Sequence, residues 1–378
     1  MTGDMPVVVA ARRTAIGTAG HAFKLETVDR LASPVIAALV RDVACLGVPV
    51  DDVVLGNCMG PGGNVARVAA LGAGLDPSVP GLTIDRQCGS GLAAVLLAGQ
   101  AVRSGEMELV IAGGAESAST APVRAHRGGE PYERAAFTPA GHPDPDMGAA
   151  AEALGVARGV SRERQDNYAC AGHAKAVAAR AAGRFDEEIV PVAGRDHDQR
   201  PRPLRPASLA RLPGAFVAGG AVTAGNSAPN SDGAAAVAVL PERLRGGLPG
   251  LRLVAGAVVG CDPELPGWGP VPAVRRLLER TGVSMERIEA VEIVEAFAAQ
   301  TLAVTDALGL DPLGADGARV CGDGGALALG HPWGASGAVV VTRLFSRLVR
   351  GGAPKGTLGL ATAAVGGGLG VAALFEVA

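Results

Sequence analysis

The chain has 378 residues, 48% of them hydrophobic but only 3% aromatic, with 56 glycines and a formal net charge of −3. That length supports two or three packed units and a sizeable core, and the small-residue bias points to close packing through Ala, Gly and Val. Acids and bases are interspersed, which speaks against nucleic acid or an anionic membrane as a partner.

In chain order, "PVVVAA", "DDVVLGN", "ELVIAGG", "AAAVAVL", "RIEAVEIVE" and "TLGLATAAV" read as strands between Ala/Leu-rich helical stretches. Continuously apolar strands alternating with helices predict an α/β protein whose sheets are buried on both faces. The start, Met1 to Pro6, is polar and reads as no signal peptide. The cysteines at 45, 58, 88, 170, 261 and 321 form no CxxC pair. Reduced thiols and a cytoplasmic location are therefore expected. The charge-free run Thr357 to Phe375 is long enough for a membrane span. Its central "GGG" instead suits two buried strands joined by a glycine turn.

A weak internal repeat is visible. "LGVPVDDVVLGNCMG" resembles "TGVSMERIEAVEIVEAF" in pattern, "CGSGLAAVLLAGQAV" echoes "HPWGASGAVVVTRLF", and "ELVIAGGAES" echoes "LGLATAAVGGG". Two copies of one strand-helix unit would place Cys88 and His331 at equivalent corners. Between them, residues 119–213 are rich in Pro, Arg, His and Asp. They read as a lobe inserted into the first half and covering a site, or else as a solvated excursion. The expected division is 1–118, the inserted 119–213, a return segment 214–245, and a second half 246–378.

Cys88 lies in "DRQCGSGLAA", between the end of a strand and the start of a helix. A free cysteine is often a small buried hydrophobe. At a helix N-terminus, however, the macrodipole is expected to lower the thiol pKa, and backbone N–H groups can hold an oxyanion. His331, in "ALGHPWGASG", is either a capping residue or the matching base, and the pair suggests Cys-His covalent catalysis.

These motifs resemble those of the thiolases from end to end. "RRTAIGTAGHAFK" looks like the family's "RTP(F/I)G…G…K", "GNVARVAAL" resembles "GQNPARQAAL", and "CGSG" matches the nucleophile motif. "IAGGAESAS" is similar to "AGGMESMS", "PDMGAAAEAL" to "HMGxTAEN", and "VTAGNSAPNSDGAAA" to "VTAGNASGxNDGAAA". "GGALALGHPWGASGA" and "VGGGLGVA" correspond to the two C-terminal signatures. The resemblance implies duplicated βαβαβαββ halves in a five-layer αβαβα core with an inserted loop domain. It also implies acyl thioesters of coenzyme A as substrates, no cofactor or metal, and a homodimer or homotetramer. By the same resemblance, Cys88 accepts the acyl group and His331 activates it. The N–H groups of Cys88 and Gly366 form an oxyanion hole, and Met147, Ser227, Ala228 and Phe297 fall among the substrate contacts.

The departures from the pattern are equally specific. The family's "CxGGG" reads "AVGGG" here, so Ala364 stands where the cysteine that removes an α-proton is expected. "NEAFA" reads "VEAFA", so Val294 replaces an asparagine that anchors an oxyanion water. Losing one such donor typically costs roughly 10²–10³ in rate. Asp146 stands at a histidine position, and Cys321 and Asp323 replace asparagines. Cys321 and Glu295 read as structural, and His142 as a loop residue. The acylation half thus reads as intact and the carbon-acid half as dismantled. The expected activity is acyl transfer through Cys88 to an acceptor that needs little activation: a stabilised carbon, an amine, an alcohol or water. The alternatives are a catalytically reduced subunit that binds a partner or acyl chain, and a slow conventional acetyl-CoA C-acyltransferase. A carrier protein remains open as the donor. A decarboxylating ketosynthase would need a polar residue at Val294, and no βαβ unit can follow the late "GLGVAA" that a dinucleotide fold would require.

Overall fold

The computed structural model describes residues 4–132 and 134–378. The chain begins with β1 (Pro6–Arg13), the short β2 (Gly17–Thr18), α1 (Val28–Val43), β3 (Asp52–Gly56), α2 (Val65–Gly72), β4 (Leu82–Ile84), α3 (Ser90–Ser104) and β5 (Val110–Ser117). There follow a small hairpin of β6 (Arg124–Ala125) and β7 (Pro131–Tyr132), then α4 (Met147–Ala157), α5 (Arg162–Ala181), the single turn α6 (Pro206–Leu209), and β8 (Ser231–Pro241). The rest comprises β9 (Leu251–Gly260), α7 (Pro270–Thr281), β10 (Ile288–Ile293), α8 (Ala298–Ala307), the short α9 (Ala326–Leu329), α10 (Trp333–Leu344), β11 (Leu358–Val365) and β12 (Leu369–Val377). No helix among the described residues is long and apolar enough to cross a membrane.

Local signals explain several boundaries. Val28, Leu31, Ala32, Val35, Ile36 and Leu39 give α1 one buried face at helical spacing. Asn64, Asp146 and Ser161 cap α2, α4 and α5 by accepting backbone N–H groups of the first turn. Gly105 ends α3 in the left-handed region.

The strands form one ladder in the order β10-β11-β12-β9-β1-β8-β5-β3-β4. Two halves are visible in it: β1-β8-β5-β3-β4, and β9-β12-β11-β10 with Val320 bridging Val291 in place of a fifth strand. They join where Val7 and Val8 of β1 face Arg252 and Leu251 of β9. Each half thus repeats the order βαβαβαββ, with its third strand worn down to one bridging residue in the second copy. β9 is absent from the strands read in the sequence, where Gly256 and Gly260 break its β-branched run.

Three apolar clusters separate the layers. One packs α1 and α2 on the outer face of the first half, and another packs α7 and α8 on that of the second. The third, with α3 and α10 at its centre, fills the space between the halves. The central helices touch backbone to backbone. A Cβ on Gly91 would lie 2.7 Å from Ala338 N, and one on Gly337 would lie 2.3 Å from Leu92 N. This close approach is what the Gly/Ala-rich, aromatic-poor composition provides. Among the described residues, 119–213 contribute no strand to the main ladder; there α4 packs on α8, and α5 on α8 and α9.

Candidate active site

The nucleophile candidate sits at a strained turn. Gln87 has φ +45°, a left-handed value rare for a residue with a side chain. Ser90 stitches the turn: its Oγ accepts from Arg86 N at 2.7 Å and donates to Gln87 O at 2.7 Å. Cys88 lies in the 3₁₀ turn Gln87–Gly89, two residues before α3 begins. His331 lies two residues before α10 begins, the same offset in the other half. The Cys88 turn packs against α10 and β11. A Cβ on Gly89 would lie 2.7 Å from Val365, next to Gly366. The helical corner and the glycine turn are thereby brought together.

The expected low thiol pKa is not what the structure produces. Cys88 is partly exposed, yet burial of its sulfur pushes the thiol up to about 12, and the carboxylates of Glu116 and Asp85 push the same way. Its own backbone N–H opposes them without prevailing. Desolvation and two nearby negative charges outweigh a dipole of roughly half an elementary charge. Cys88 is a neutral thiol at rest.

His331 is only 4% exposed. Its Nδ1 is 2.7 Å from Ser336 Oγ on the first turn of α10. Its Nε2 is buried with no hydrogen-bond partner among the described residues. Burial lowers the imidazole to about 4, so the ring is neutral. The backbone is fixed by His331 N donating to Ser231 Oγ at 3.1 Å and to Pro229 O at 3.3 Å. A neutral imidazole held at one nitrogen, with its other nitrogen free, is equipped to take a proton.

The degenerate positions are apolar in fact as well as in sequence. Val294 is 2% exposed and packs with Val340, Ala361 and Ala363. It lines a small cavity with Gly330, Arg343 and Ser336, the last of which holds His331 Nδ1. Ala364 is partly exposed near the end of β11, opposite Gly370. Cys321 is buried in the outer core of the second half. Glu295 is buried, accepting from Tyr168 Oη and Leu327 N. His142 lies in an exposed turn.

The four expected substrate contacts converge. Ser227 bridges Phe297, and Ala228 N donates to Ala296 O at 2.9 Å. Phe216 meets Phe297 edge-to-face at 5.8 Å and lies so close over Gly148 that a Cβ there would enter its ring. Met147 opens α4 beside that glycine, with Asp146 serving as the cap. Ser227 Oγ is buried with no partner among the described residues. Two residues beyond Ser227, the carbonyl of Pro229 accepts from His331 N.

Several neighbours had no role in the sequence reading. Glu116 is fully buried, and it ties three loops together. It accepts from Asn57 Nδ2 at 2.9 Å and from the N–H groups of Cys58, Met59 and Gly334 at 3.0 Å each. Burial nevertheless raises its carboxyl to about 7. An acidic residue inside the apolar strand 110–117 is the signal that marks it. Phe137 covers Gly366, where a Cβ would lie 2.6 Å from its ring, and Cys58 Sγ donates to Gln87 O at 3.1 Å. Nothing in the sequence distinguishes Phe137 or Phe216 from other phenylalanines. Among the described residues no group of three or more His, Cys, Asp or Glu side chains is placed to hold a metal ion.

Comparison with known proteins decides the family. The family description "Thiolase, N-terminal domain" matches residues 6–243, and "Thiolase, C-terminal domain" matches residues 249–377. The chain belongs to the thiolase family. An acetyl-CoA acetyltransferase of Pseudomonas aeruginosa is 41% identical to this thiolase, covering 97% of it and 98% of the relative. YhfS of Bacillus subtilis is 42% identical over 98% of this chain and 99% of its own. The crystal structure of the Bacillus anthracis acetyl-CoA acetyltransferase superposes with a TM-score of 0.92 at 36% identity, covering all of both chains. The fold is the thiolase fold, and the protein is an acyltransferase of that family.

Proposed function

We propose that this thiolase takes an acyl group from a coenzyme A thioester onto Cys88 Sγ and passes it to an acceptor that needs little activation. The observation that carries the proposal is the free, buried Nε2 of His331 on a ring anchored by Ser336. As Cys88 Sγ attacks the thioester carbon, its proton passes to His331 Nε2. The bond from carbon to the coenzyme sulfur then breaks, and the imidazolium returns the proton to the departing thiolate. Thiol and imidazole are both neutral at rest, so the proton moves as the new bond forms rather than before it. The N–H groups of Cys88 and Gly366 hold the oxyanion. In the second step the acceptor attacks the acyl carbon and the bond to Cys88 Sγ breaks. The proton that an amine, alcohol or water gives up passes through His331 Nε2 to the departing Sγ, whereas a carbanion acceptor leaves Sγ to take its proton from solvent. This cycle uses no metal and no prosthetic group.

The same geometry argues against deprotonating an unactivated acetyl group. Ala364 has no proton to move, and Val294 presents methyls to the cavity it lines with Ser336. The acceptors that fit are a stabilised carbanion, a phenolic carbon, an amine, an alcohol or water. A carrier-bound thioester would undergo the same first step. The edge strand β4 exposes Leu82, and the adjoining α2 exposes Val68 and Leu71. A second copy of the chain paired at that edge would complete a cytoplasmic homo-oligomer.

Intact-protein mass after incubation with a panel of acyl-CoAs tests the proposal. Wild type gains one acyl group and Cys88→Ala does not. An adduct that survives Cys88→Ala, or no adduct with any donor shown to bind, overturns it.

A further inference from the structure

A second site lies at the other end of α10. A cavity of about 410 Å³ is lined there by the guanidiniums of Arg184, Arg343, Arg347 and Arg350 and the carboxylates of Glu187 and Asp323. Ser336, which holds His331, and Arg343 are seven residues apart on this helix, roughly 10 Å along its axis. Arg350 and Arg184 line this cavity and not the small one beside Val294; the two cavities share only the Arg343 side of α10. Beyond Leu344 the chain continues as a π-helical turn, Phe345–Arg350, which carries Arg347 and Arg350 into the cavity wall. Such turns recur at functional sites.

The four guanidiniums are not equally neutralised. Arg184 meets Asp323 at 2.5 Å, Arg347 meets Glu292 at 2.6 Å, and Arg343 is paired with both Glu188 and Asp323. Arg350 has only a 3.4 Å approach to Glu187, whose side chain is 78% exposed. Its other bonds go to neutral oxygens, Ser346 Oγ and Ala11 O, at 2.7 Å each. Arg343 Nε is buried with no partner among the described residues. Arg184, 60% exposed, stands at the rim. The cavity thus holds one largely buried cation without a firm counter-ion, Arg350, and at its rim a second, Arg184, whose partner Asp323 is shared with Arg343. Burial disfavours the charge on Arg350, so an anion arriving there is stabilising.

We propose that this cavity binds the phosphate group of a small molecule, which displaces the Glu187 carboxylate and is held by Arg350 and Arg184. Guanidinium forks from two separate elements suit a tetrahedral dianion, whereas a planar carboxylate is satisfied by a single fork. The group can come from free phosphate or from a small phosphomonoester, and the cavity is roomy enough for an organic body beyond it.

Isothermal titration at constant ionic strength, with inorganic phosphate and ribose 5-phosphate as probes, tests this. Saturable binding is expected in wild type and equally in Cys88→Ala. Arg350→Gln weakens it by about 10-fold or more, the scale of a charge-assisted hydrogen bond. Glu187→Gln, a change at an exposed residue, tightens it by removing the competing carboxylate. Arg184→Gln, at the exposed rim, gives a second weakening variant should Arg350→Gln not fold. Tighter binding of ribose 5-phosphate than of phosphate identifies the phosphomonoester as the ligand form, and equal binding identifies free phosphate. No saturable binding overturns the proposal. So does binding that is displaced by coenzyme A and indifferent to Glu187→Gln and Arg184→Gln, because it then lies in the acyl site.

Discussion

Ala364→Cys restores a thiol where the proposed mechanism lacks a base. Ala364 is partly exposed, and Gly370, its direct cross-strand neighbour, has no side chain. One added sulfur at a partly exposed position disturbs little packed core, and the folding cost stays within about 0.5 kcal/mol. A positioned general base is worth about 10²–10⁴ in rate, so condensation of acetyl-CoA should rise by that factor from a low starting value. Val294 sets the remaining barrier. It is 2% exposed among valines and alanines, so Val294→Asn brings an amide into an apolar pocket at about 1–3 kcal/mol of stability. If the amide restores an oxyanion water, the double variant gains a further 10²–10³ or so. The assay follows acetoacetyl-CoA formation by absorbance, with the acyl-Cys88 yield followed by mass in parallel. An Ala364→Cys variant with unchanged acylation and no gain in condensation would refute the reasoning, because residue 364 would then not be the missing step.

Ser336→Ala removes the only partner of His331 Nδ1 among the described residues. It should lower kcat/KM for acyl transfer by about 10–100-fold while thermal unfolding shifts little. Glu116→Ala leaves three backbone N–H groups without their acceptor, that of Gly334 buried and those of Cys58 and Met59 partly buried. At about 1–3 kcal/mol each, partly relieved by water, this costs roughly 3–6 kcal/mol, and calorimetry of a 378-residue chain should show Tm falling by about 4–8 °C. A change under 1 °C, smaller than this approximate scale, argues against the clamp. His331 is held at about 4 in the fold against 6.5 unfolded. Its contribution is therefore complete above pH 6.5 and is lost as pH falls towards 4, in total about 3 kcal/mol. Urea unfolding of wild type and His331→Gln at several pH values should show a shallower acid loss in the variant.

The periodicity of the sequence was enough to recover most of the architecture. The apolar runs at 52–56, 110–117 and 231–241 are fully buried strands because helices cover both faces of the ladder. The repeat located the corners of Cys88 and His331 because each copy has to start its central helix at the same point. β9 was missed because its glycines break the pattern. One of them, Gly256, yields its space to Leu96 of α3, and that need arises only once the halves are packed.

Residue identity alone determined that Ala364 and Val294 bring no proton and no polar group to the site, since no packing gives an alkyl side chain that chemistry. The ionisation of the site was decided by tertiary structure. A helix N-terminus taken by itself favours a thiolate, but burial beside Glu116 and Asp85 makes Cys88 a neutral thiol. Glu116 comes from β5, far along the chain from Cys58 and Gly334, which it joins. Its clamp, the Phe137 cover on Gly366 and the cavity of arginines beyond α10 exist only where segments distant in sequence meet, because desolvation and electrostatic coupling depend on distance in space.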